Sequence, residues 1–415
     1  MREITDASFE SAKSAVTLSL NLIGIMALWL GLVRVLEAGG LMFSLAKLLR
    51  PLMIRLFPDV PPTHPAMGAM ILNISANMLG LGNAATPFGI KAMTELNRLN
   101  PIKGTATNAM CLFLAINTSS VALFPLGVIG VRAAANASRP ADIWLPTTIA
   151  TFASTLVGVL IATWLGRRDR GYRQASMNAL SPDTAEATTS TPSETAIETD
   201  FSHLRCQSSK LSTYFAVAVF ALFLAAIVVN ALRASAFLSF FNADFASFWL
   251  LPALMLGIVT YGVSRGVKVY EAVTEGAKQG FDVAIRIIPF LVAILTAIGM
   301  FRASGGMELI EHVLAPITGA LGMPVETLPM ALVRPLSGSG AFGIMSELIQ
   351  QDPDSYSSFL ASTMMGSTET TFYVLAVYFG SVGITKVRHA LVAALLADVA
   401  GIVVSCLAAA YFWTP

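Results

Sequence analysis

The chain alternates between long apolar runs and short polar stretches, and the apolar runs have the length of membrane spans. They lie near residues 14–36, 104–130, 141–166, 211–233, 245–265, 281–303, 356–382 and 388–412. A helix needs about 20 predominantly apolar residues to cross the hydrocarbon core of a bilayer. The pattern therefore predicts an all-α, polytopic helical membrane protein with eight spans. We expect the first run to be a retained span, because no small-residue cleavage site follows it.

One polar stretch, residues 167–210, interrupts this pattern. It begins RRDRGYR and continues without hydrophobic periodicity, which predicts a disordered linker. The linker divides the chain into a first unit, 1–166, and a second unit, 211–415. The second unit has two extra spans over 211–265, ahead of a repeat unit at 281–412.

The two units share three sequence similarities in the same order. They pair EAGGLMFSLAKLLRP (37–51) with ASGGMELIEHVLAP (303–316), GNAATPFGI (82–90) with GSGAFGI (338–344), and INTSSVALFPLGVIG (116–130) with GSTETTFYVLAVYFG (366–380). One such match between apolar segments has little weight, but three in order indicate an internal repeat.

The distribution of charge predicts that the two repeats have opposite orientations. Region 37–103 is rich in Lys and Arg, whereas region 304–355 is acidic and has one basic residue, Arg334. Cytoplasmic loops collect basic residues, so equivalent regions lie on opposite faces of the membrane, as in an inverted repeat. Both termini are then outside and the linker is cytoplasmic. Arg132 and Arg139, in an external loop, count against this scheme.

Each unit also contains a broken segment, predicted to be re-entrant near 65–98 and 325–351. Glycine and proline interrupt them at Gly80, Gly82 and Pro87 in the first and at Pro335, Gly338 and Gly340 in the second. In the first segment, Asn73 and Asn77 lie four residues apart, on one face of a helix. Discontinuous helices at equivalent places in two repeats indicate a transport site. Alternatively, the glycines permit close packing of helices.

Polar residues also stand in the middle of two predicted spans. An acidic group at the centre of a membrane helix costs ~2.5–3.5 kcal/mol on the insertion scale, so Glu369 is expected to face a cavity or a partner. Arg334 is the candidate partner, and a purely structural ion pair is the alternative. Asp398, inside the last run, raises the same question. The predicted substrate-binding residues are Asn73, Asn77, Asn83, Asn117, Thr118, Ser119, Arg334, Ser337, Ser339, Ser367, Thr368, Glu369 and Thr370.

Composition supports lipid as the solvent and argues against several functions. Charged residues make up 12% of the chain, about half the fraction usual in soluble domains. A net charge of +1 predicts no role with nucleic acid. The three cysteines and four histidines do not cluster, which predicts no metal site. We find no catalytic motif and therefore predict neither an enzyme nor a cofactor. His64 is expected to be a loop or capping residue.

Long motifs resemble two related families of membrane proteins. Residues 71–96 and 116–125 are similar to spore maturation protein A, and residues 302–310, 331–348 and 366–391 are similar to spore maturation protein B. The chain resembles a fusion of the two. Both belong to the nucleoside recognition, or gate-domain, families, which are also similar to parts of nucleoside transporters and of the bacterial ferrous iron transporter. The resemblance implies a multi-pass protein of the bacterial inner membrane.

Two functions remain open from the sequence. The first is a transporter of a small polar, nucleoside-like solute that binds between the two units, with Glu369 binding the solute or a coupling cation. The second is a scaffold or assembly factor for spore or envelope maturation, in which the polar motifs fix helix packing. The expected partners are the solute, the cation and the lipid bilayer. The oligomeric state stays open, a homo-oligomer included.

Overall fold

The computed structural model describes residues 2–80, 82–123, 125–179, 202–206, 210–233, 249–306, 309, 316 and 318–413. These residues form helices and connecting loops, with no β-strand among them. The helices are α1 (Arg2–Gly39), α2 (Leu41–Leu56), α3 (Pro65–Met78), α4 (Gly82–Arg98), α5 (Asn108–Thr118), α6 (Leu126–Ala134), α7 (Trp144–Arg168), α8 (Arg170–Ala179), α9 (Lys210–Arg233), α10 (Leu250–Ser264), α11 (Val269–Ala303), α12 (Leu328–Val333), α13 (Gly338–Gln351), α14 (Tyr356–Ser367), α15 (Thr371–Gly380) and α16 (Ala390–Phe412).

Four of the described helices are long and apolar enough to cross a membrane. They are α1, α7, Lys210–Asn230 of α9, and α16. Shorter apolar stretches are α5, α10 and Leu291–Ala303 of α11. The prediction of an all-α, polytopic membrane protein is confirmed.

The prediction of one continuous span over 104–130 is wrong, because two short helices share this region. α5 ends at Thr118 and α6 begins only at Leu126. The hydroxyl of Ser119 bonds to the carbonyl of Ala115 at 2.7 Å, and Pro125, which precedes α6, has no N–H to continue a helix. Apolar length does not detect such a break, because it measures lipid compatibility and not backbone conformation.

The predicted span over 356–382 is broken in the same way. α14 ends at Ser367 and α15 begins at Thr371. Between them, Thr368 has φ −143° and ψ 169°, and Thr370 is also extended. Each unit therefore contains a discontinuous helix at an equivalent place.

The re-entrant segments are helical hairpins. Pro65 begins α3 behind His64, whose Nδ1 accepts the N–H of Ala66 at 3.2 Å, so His64 is a capping residue as predicted. Gly80 turns the chain towards α4 with φ 75°. In the second hairpin, the chain turns between α12 and α13.

Two of the predicted interruptions in the hairpins are wrong. Pro87 lies inside α4 and Gly340 lies inside α13. A proline in the first two turns of a helix removes one backbone hydrogen bond, and this loss does not end α4. Gly340 allows close packing of α13 on α11, since an added Cβ would lie 2.6 Å from Cδ1 of Ile294.

Helix α1, the first helix of the first unit, packs against α11, the first helix of the repeat in the second unit, and the two run in opposite directions. Gly276, near the beginning of α11, lies against Leu30, near the end of α1. Gly299, near the end of α11, lies against Ser11, near the beginning of α1. As the residue number rises along one helix, it falls along the other, so the two helices are antiparallel.

The last helices of the two units show the same relation. Gly166, at the end of α7, lies against His389, just before α16, and Gly401 of α16 lies against Ser154 of α7. Equivalent helices of the two units are therefore antiparallel at both ends of the repeat. This arrangement is an inverted repeat, which confirms the prediction.

The beginning of the predicted linker is ordered. α7 continues to Arg168 and is followed by α8, so the prediction of disorder is wrong for 167–179. The prediction is also wrong for 202–206, where Ser202–Leu204 forms a short 3₁₀ helix, whereas 180–201 and 207–209 lie outside the described residues. Arg388 holds this region through two bonds to Oδ2 of Asp169, at 2.7 and 3.0 Å, and through its stacking on Tyr172. The backbone N–H of Tyr172 and the Arg388 guanidinium hold the pKa of the Asp169 carboxyl below its ordinary value.

Contacts between loops define two faces of the helical body. On the linker face, Arg205 donates to the carbonyl of Ala38 at 2.7 Å, and Thr385 donates its N–H to Gly104 at 3.0 Å. On the terminal face, Asp354 accepts from the backbone of Ser138 at 2.9 Å and from Trp413 at 3.3 Å. Basic residues predominate on the linker face, where Asp59, Asp169 and Glu275 accompany Lys103, Arg167, Arg168, Arg170, Arg205, Arg265, Lys268, Lys386 and Arg388. Acidic residues predominate on the terminal face, where Arg139 accompanies Asp142, Glu326, Asp352 and Asp354.

The two arginines that counted against the orientation have local partners. Arg132 is 2% exposed and donates to the hydroxyl of Ser358 at 3.3 Å. Arg139 pairs with Asp142 at 3.2 Å. The orientation rule counts Lys and Arg in loops and not net charge, so these two residues still count against the scheme and are outweighed by the larger number of basic residues on the linker face.

We expect topology reporters to place the linker face in the cytoplasm. A reporter fused at residue 190 should be cytoplasmic, and one fused at residue 415 should be external, because basic loops remain in the cytoplasm. Alkaline phosphatase and fluorescent-protein fusions measure the two locations. Both reporters on the same side would contradict the inverted repeat.

Candidate functional site

The two broken helices cross at their breaks. The backbone N–H of Glu369 donates to the carbonyl of Thr118 at 2.8 Å. Beyond the crossing, each second half-helix packs with the other unit. Tyr378 and Phe379 of α15 belong to the apolar cluster of α3, α4 and α5, whereas Ile129 of α6 belongs to the cluster of α13 and α14. The crossing therefore joins the two units at the centre of the fold.

Each hairpin is hydrogen-bonded to the broken helix of its own unit. The N–H of Leu123 donates to the carbonyl of Met78 at 3.0 Å, and the N–H of Phe372 donates to the carbonyl of Pro335 at 3.1 Å. Both bonds run from the start of a second half-helix to the tip of a hairpin. The hairpin tips and the breaks therefore meet in both units, as the inverted repeat requires.

Helix α7 satisfies the backbone of the first break. The hydroxyl of Thr151 donates to the carbonyl of Ser120 at 2.8 Å, and the hydroxyl of Thr155 donates to the carbonyl of Ser119 at 2.5 Å. Open backbone at membrane depth requires such partners. The hydroxyl of Thr118, like that of Ser119, bonds to the carbonyl of Ala115, at 3.0 Å. The two predicted site hydroxyls thus satisfy their own helix.

Four side chains from three distant parts of the sequence meet beside the first break. Nδ2 of Asn77 donates to Oδ1 of Asn117 at 2.9 Å, and the hydroxyl of Tyr378 donates to the same oxygen at 3.3 Å. Asn73 donates to the Tyr378 oxygen at 3.1 Å and to the carbonyl of Ala85 at 2.8 Å. Its own Oδ1 is buried without a hydrogen-bond partner. The structure therefore brings together the predicted amides Asn73, Asn77 and Asn117.

Tyr378 is the residue that the sequence analysis missed. It is 5% exposed, stacks on Phe113 with 6.1 Å between ring centroids, and connects α15 of the second unit to α3 and α5 of the first. An added Cβ at Gly89 would lie 2.3 Å from this ring. The only sequence signal was a hydroxyl-bearing ring inside the run FYVLAVYFG, which is also typical of ordinary membrane tyrosines.

Replacing Tyr378 with phenylalanine is expected to lower the free energy of unfolding by about 1–2 kcal/mol. The ring packing is kept, but Asn73 loses an acceptor and Asn117 a donor in a buried place. The change is measured as a shift in melting temperature of the purified protein. Tyr411→Phe is the matched control, because Tyr411 is 81% exposed and its hydroxyl should contribute nothing. Equal shifts in the two variants would contradict the role of the Tyr378 hydroxyl.

Arg334 lies at the second break and binds its backbone. It is 3% exposed, and its guanidinium donates to the carbonyls of Met365 and Thr368 and to the hydroxyl of Thr370. An added Cβ at Gly338 would lie 2.6 Å from that hydroxyl. Arg334 therefore satisfies the open backbone carbonyls of the second break, as Thr151 and Thr155 satisfy those of the first.

Glu369 is close to Arg334 but differs from it in exposure. Oε2 lies 3.7 Å from Nη2 of Arg334, and the Glu369 side chain is 56% exposed while that of Arg334 is 4% exposed. Protein oxygens already accept from two of the three guanidinium nitrogens. Arg334 thus has acceptors independent of Glu369, and the structural ion pair is the weaker of the two interpretations.

The remaining predicted site residues have mixed positions. Ser337 caps α13 by accepting the N–H of Gly340 at 3.1 Å, and its oxygen lies 3.5 Å from that of Ser339. Ser367 donates to the carbonyl of Met364 at 2.8 Å. Thr368 keeps a buried hydroxyl with no hydrogen-bond partner. The side chain of Asn83 lies outside the described residues.

Two further features lie apart from the crossing. Among the described residues, no group of three or more His, Cys, Asp or Glu side chains could hold a metal ion. A cleft of about 760 Å³ opens at the linker face, beside Asp59, Asn108 and Tyr172. None of the predicted site residues lines this cleft.

The chain is similar to known proteins over most of its helical body. The family model Gate: Nucleoside recognition matches residues 19–135 and 284–385, together just over half of the chain. A solved structure of the Alcanivorax borkumensis YdaH transporter covers 95% of this chain and 87% of its own, at 16% identity and a TM-score of 0.43.

Two relatives from Bacillus subtilis (strain 168) each match 39% of this chain. Spore maturation protein B is 47% identical over 163 residues, which is 92% of that protein. Spore maturation protein A is 43% identical over 161 residues, which is 82% of that protein. The predicted resemblance to a fusion of these two proteins is confirmed, and the chain belongs to the Gate family of nucleoside recognition proteins.

Proposed function

We propose that this multi-pass membrane protein transports a small polar solute, nucleoside-like in chemistry, across the bacterial cytoplasmic membrane. The solute binds where the two broken helices cross. The crossing, in which the N–H of Glu369 bonds to the carbonyl of Thr118 at 2.8 Å, carries the proposal. Paired discontinuous helices in an inverted repeat are how many secondary transporters build a site at the middle of the membrane.

The polar groups at the crossing suit a solute with both donors and acceptors. The carboxylate of Glu369 is half exposed and can accept hydrogen bonds, and the partly exposed amide of Asn77 can both donate and accept. A ribose hydroxyl pair can donate to a carboxylate, and a heterocyclic base can pair with an amide. The family description, nucleoside recognition, agrees with this chemistry.

The competing function is a scaffold or assembly factor in spore or envelope maturation. The names of the two Bacillus subtilis relatives favour it. On that alternative, the amide cluster and Arg334 fix helix packing, and no solute binds. The half-exposed carboxylate of Glu369 argues against it, because a packing role does not need an exposed charge at membrane depth.

Solute-dependent stability separates the two functions. The purified protein is screened against nucleosides and other hydroxylated heterocycles, and the melting temperature is recorded for each. A ligand that binds only the native state raises the apparent stability. Solutes that stabilise the protein are then tested for uptake into proteoliposomes. No stabilisation by any polar solute, together with no uptake, would favour the scaffold.

A matched pair of variants tests the place of binding. Asn77→Ala should weaken binding of the stabilising solute about tenfold, the change expected from one lost hydrogen bond. Asn77 is partly exposed, whereas Asn117 is 2% exposed and both of its polar atoms bond to protein groups. Asn230→Ala should leave binding unchanged, because Asn230 lies on α9, outside the repeats, and its side chain bonds to the carbonyl of Ala226 on its own helix. Equal binding by both variants would move the site away from the crossing.

A further inference from the structure

The last helix carries a buried carboxylate with an unused oxygen beside the second break. Asp398 is 2% exposed. Its Oδ2 accepts the hydroxyl of Thr371 at 2.7 Å, but its Oδ1 is buried without a hydrogen-bond partner. A buried carboxylate is costly unless it is neutralised and its oxygens are satisfied.

A second buried oxygen belongs to a residue that packs on the same helix. The hydroxyl of Thr368 is also without a partner, although Thr368 is 3% exposed. The Thr368 side chain packs against Gly401, where an added Cβ would lie 2.6 Å from its Cγ2. Asp398 and Gly401 are one helical turn apart on α16, so the Thr368 side chain and the Asp398 carboxylate face the same stretch of this helix. The hydroxyl of Thr371 is the third oxygen there.

The two units differ at this position. In the first unit, Thr151 and Thr155 of the last helix satisfy the break with their hydroxyls. In the second unit, the last helix presents a carboxylate instead. The break carbonyl of Thr368 is taken by Arg334. The carboxylate of Asp398 is therefore in excess of what the backbone of the break requires.

The charges at the second break do not balance. Arg334 and Glu369 form one pair at 3.7 Å. Asp398 has no ion pair among the described residues, and the charged groups that act on it are Arg334 and Glu369. With both carboxylates ionised, the three groups carry one net negative charge. One bound monovalent cation restores neutrality, whereas a divalent ion would leave an excess of positive charge.

We propose that Asp398, with the hydroxyls of Thr368 and Thr371, binds one monovalent cation, Na⁺ or a proton, that is coupled to transport. Oxygen atoms of carboxylates and hydroxyls are ligands for hard cations, and a proton on Asp398 neutralises the same charge. This inference rests on the proposed function and adds a coupling ion to it. The site lies on α16, apart from the exposed carboxylate of Glu369.

The cation site and the solute site are coupled because they are adjacent along the chain. Thr368 and Glu369 are consecutive, and Arg334 bonds to the carbonyl of Thr368 while it faces Glu369. A cation that draws the Thr368 hydroxyl towards Asp398 fixes the extended break. The same fixed backbone positions Glu369 for the solute, so binding of one ligand favours the other.

Thermal stability without solute is the first test. The purified protein is melted in NaCl and in KCl at equal ionic strength and fixed pH, and then across pH 5 to 8 in KCl. We expect the melting temperature to depend on Na⁺ if Na⁺ is the ion, and on pH if it is the proton. Asp398→Asn should lose this dependence. Asp282→Asn, which alters an exposed aspartate of α11, should keep it.

A second variant covers the case in which Asp398→Asn fails to fold. Thr368→Val keeps the shape of the side chain and should weaken the apparent affinity for the cation about tenfold, since it removes one ligand. The inference is overturned if wild-type stability responds to neither Na⁺ nor pH, or if Asp398→Asn and Thr368→Val respond as the wild type does.

Uptake measurements separate this inference from the proposed function. If solute uptake occurs but is unaffected by Na⁺ and proton gradients, transport stands and the coupling site fails. If no solute is taken up but the cation response depends on Asp398, the cation site stands and the proposed transport fails.

Discussion

Glu369→Gln is expected to abolish solute uptake while changing the free energy of unfolding by less than about 1 kcal/mol. The Glu369 side chain is 56% exposed, and its contact with Arg334 is 3.7 Å long, so the pair contributes little to stability. Arg334 keeps its bonds to the break when the charge is removed. The solute, however, loses the one carboxylate that is exposed at the crossing. Uptake into proteoliposomes and the melting temperature measure the two effects.

Glu347→Gln is the matched control for this variant. Glu347 lies on α13 and pairs with Arg302 at 3.4 Å, away from the crossing, so its loss should affect neither uptake nor stability. If Glu369→Gln instead unfolds the protein and a second change, Arg334→Met, restores stability, the pair is structural. Removing one partner of a buried pair costs about 3–5 kcal/mol, so the two outcomes are easily separated. Uptake at the wild-type rate in Glu369→Gln would also contradict the proposed site.

Gly276→Ala is expected to cause the largest loss of stability, on the order of 3 kcal/mol. An added Cβ would lie 2.3 Å from the carbonyl oxygen of Leu30 and 2.7 Å from Cα of Gly31. Both obstacles are backbone atoms, so no side-chain rotation relieves the contact. The antiparallel helices α1 and α11 would have to separate, and they are one of the helix pairs that join the two units. The melting temperature of the purified protein measures the loss.

Gly24→Ala provides the control on the same pair of helices. An added Cβ at Gly24 meets nothing within 4 Å, so alanine should be neutral or should stabilise α1 by up to about 1 kcal/mol through its helix propensity. A loss in Gly24→Ala equal to that in Gly276→Ala would mean that the effect is not steric. Unchanged stability in Gly276→Ala would contradict the close approach of the two helices.

Much of the architecture was predictable from local sequence. Apolar runs long enough to cross a bilayer are a property of consecutive residues, and they identified the membrane helices. The three ordered similarities and the contrast in basic residues predicted the inverted repeat, which the antiparallel pairs α1–α11 and α7–α16 confirm. His64 was recognised as a capping residue because a cap depends on its immediate neighbours. Arg334 and Glu369 were paired because isolated charges in apolar segments are rare.

The breaks in the two long spans were not predictable in this way. Residues 104–130 and 356–382 are apolar enough to be continuous helices, yet each is divided into two shorter helices. An unwound backbone is stable in a membrane only when partners elsewhere satisfy it. Those partners are Thr151 and Thr155 for the first break and Arg334 for the second. None of them is adjacent in sequence to the break that it satisfies.

The sequence by itself determined the membrane environment, the internal repeat and the charged candidate site residues, because each of these depends on composition and local pattern. Only the tertiary structure decided which polar side chains meet. Tyr378 joins Asn73 and Asn117 across the two units, and Asp398 lies beside Thr371 on a neighbouring helix. The hydroxyls of Thr118 and Ser119, by contrast, are used by their own helix. A polar side chain in an apolar run has to find a partner, but whether that partner is its own backbone or a distant residue depends on how the two inverted units pack.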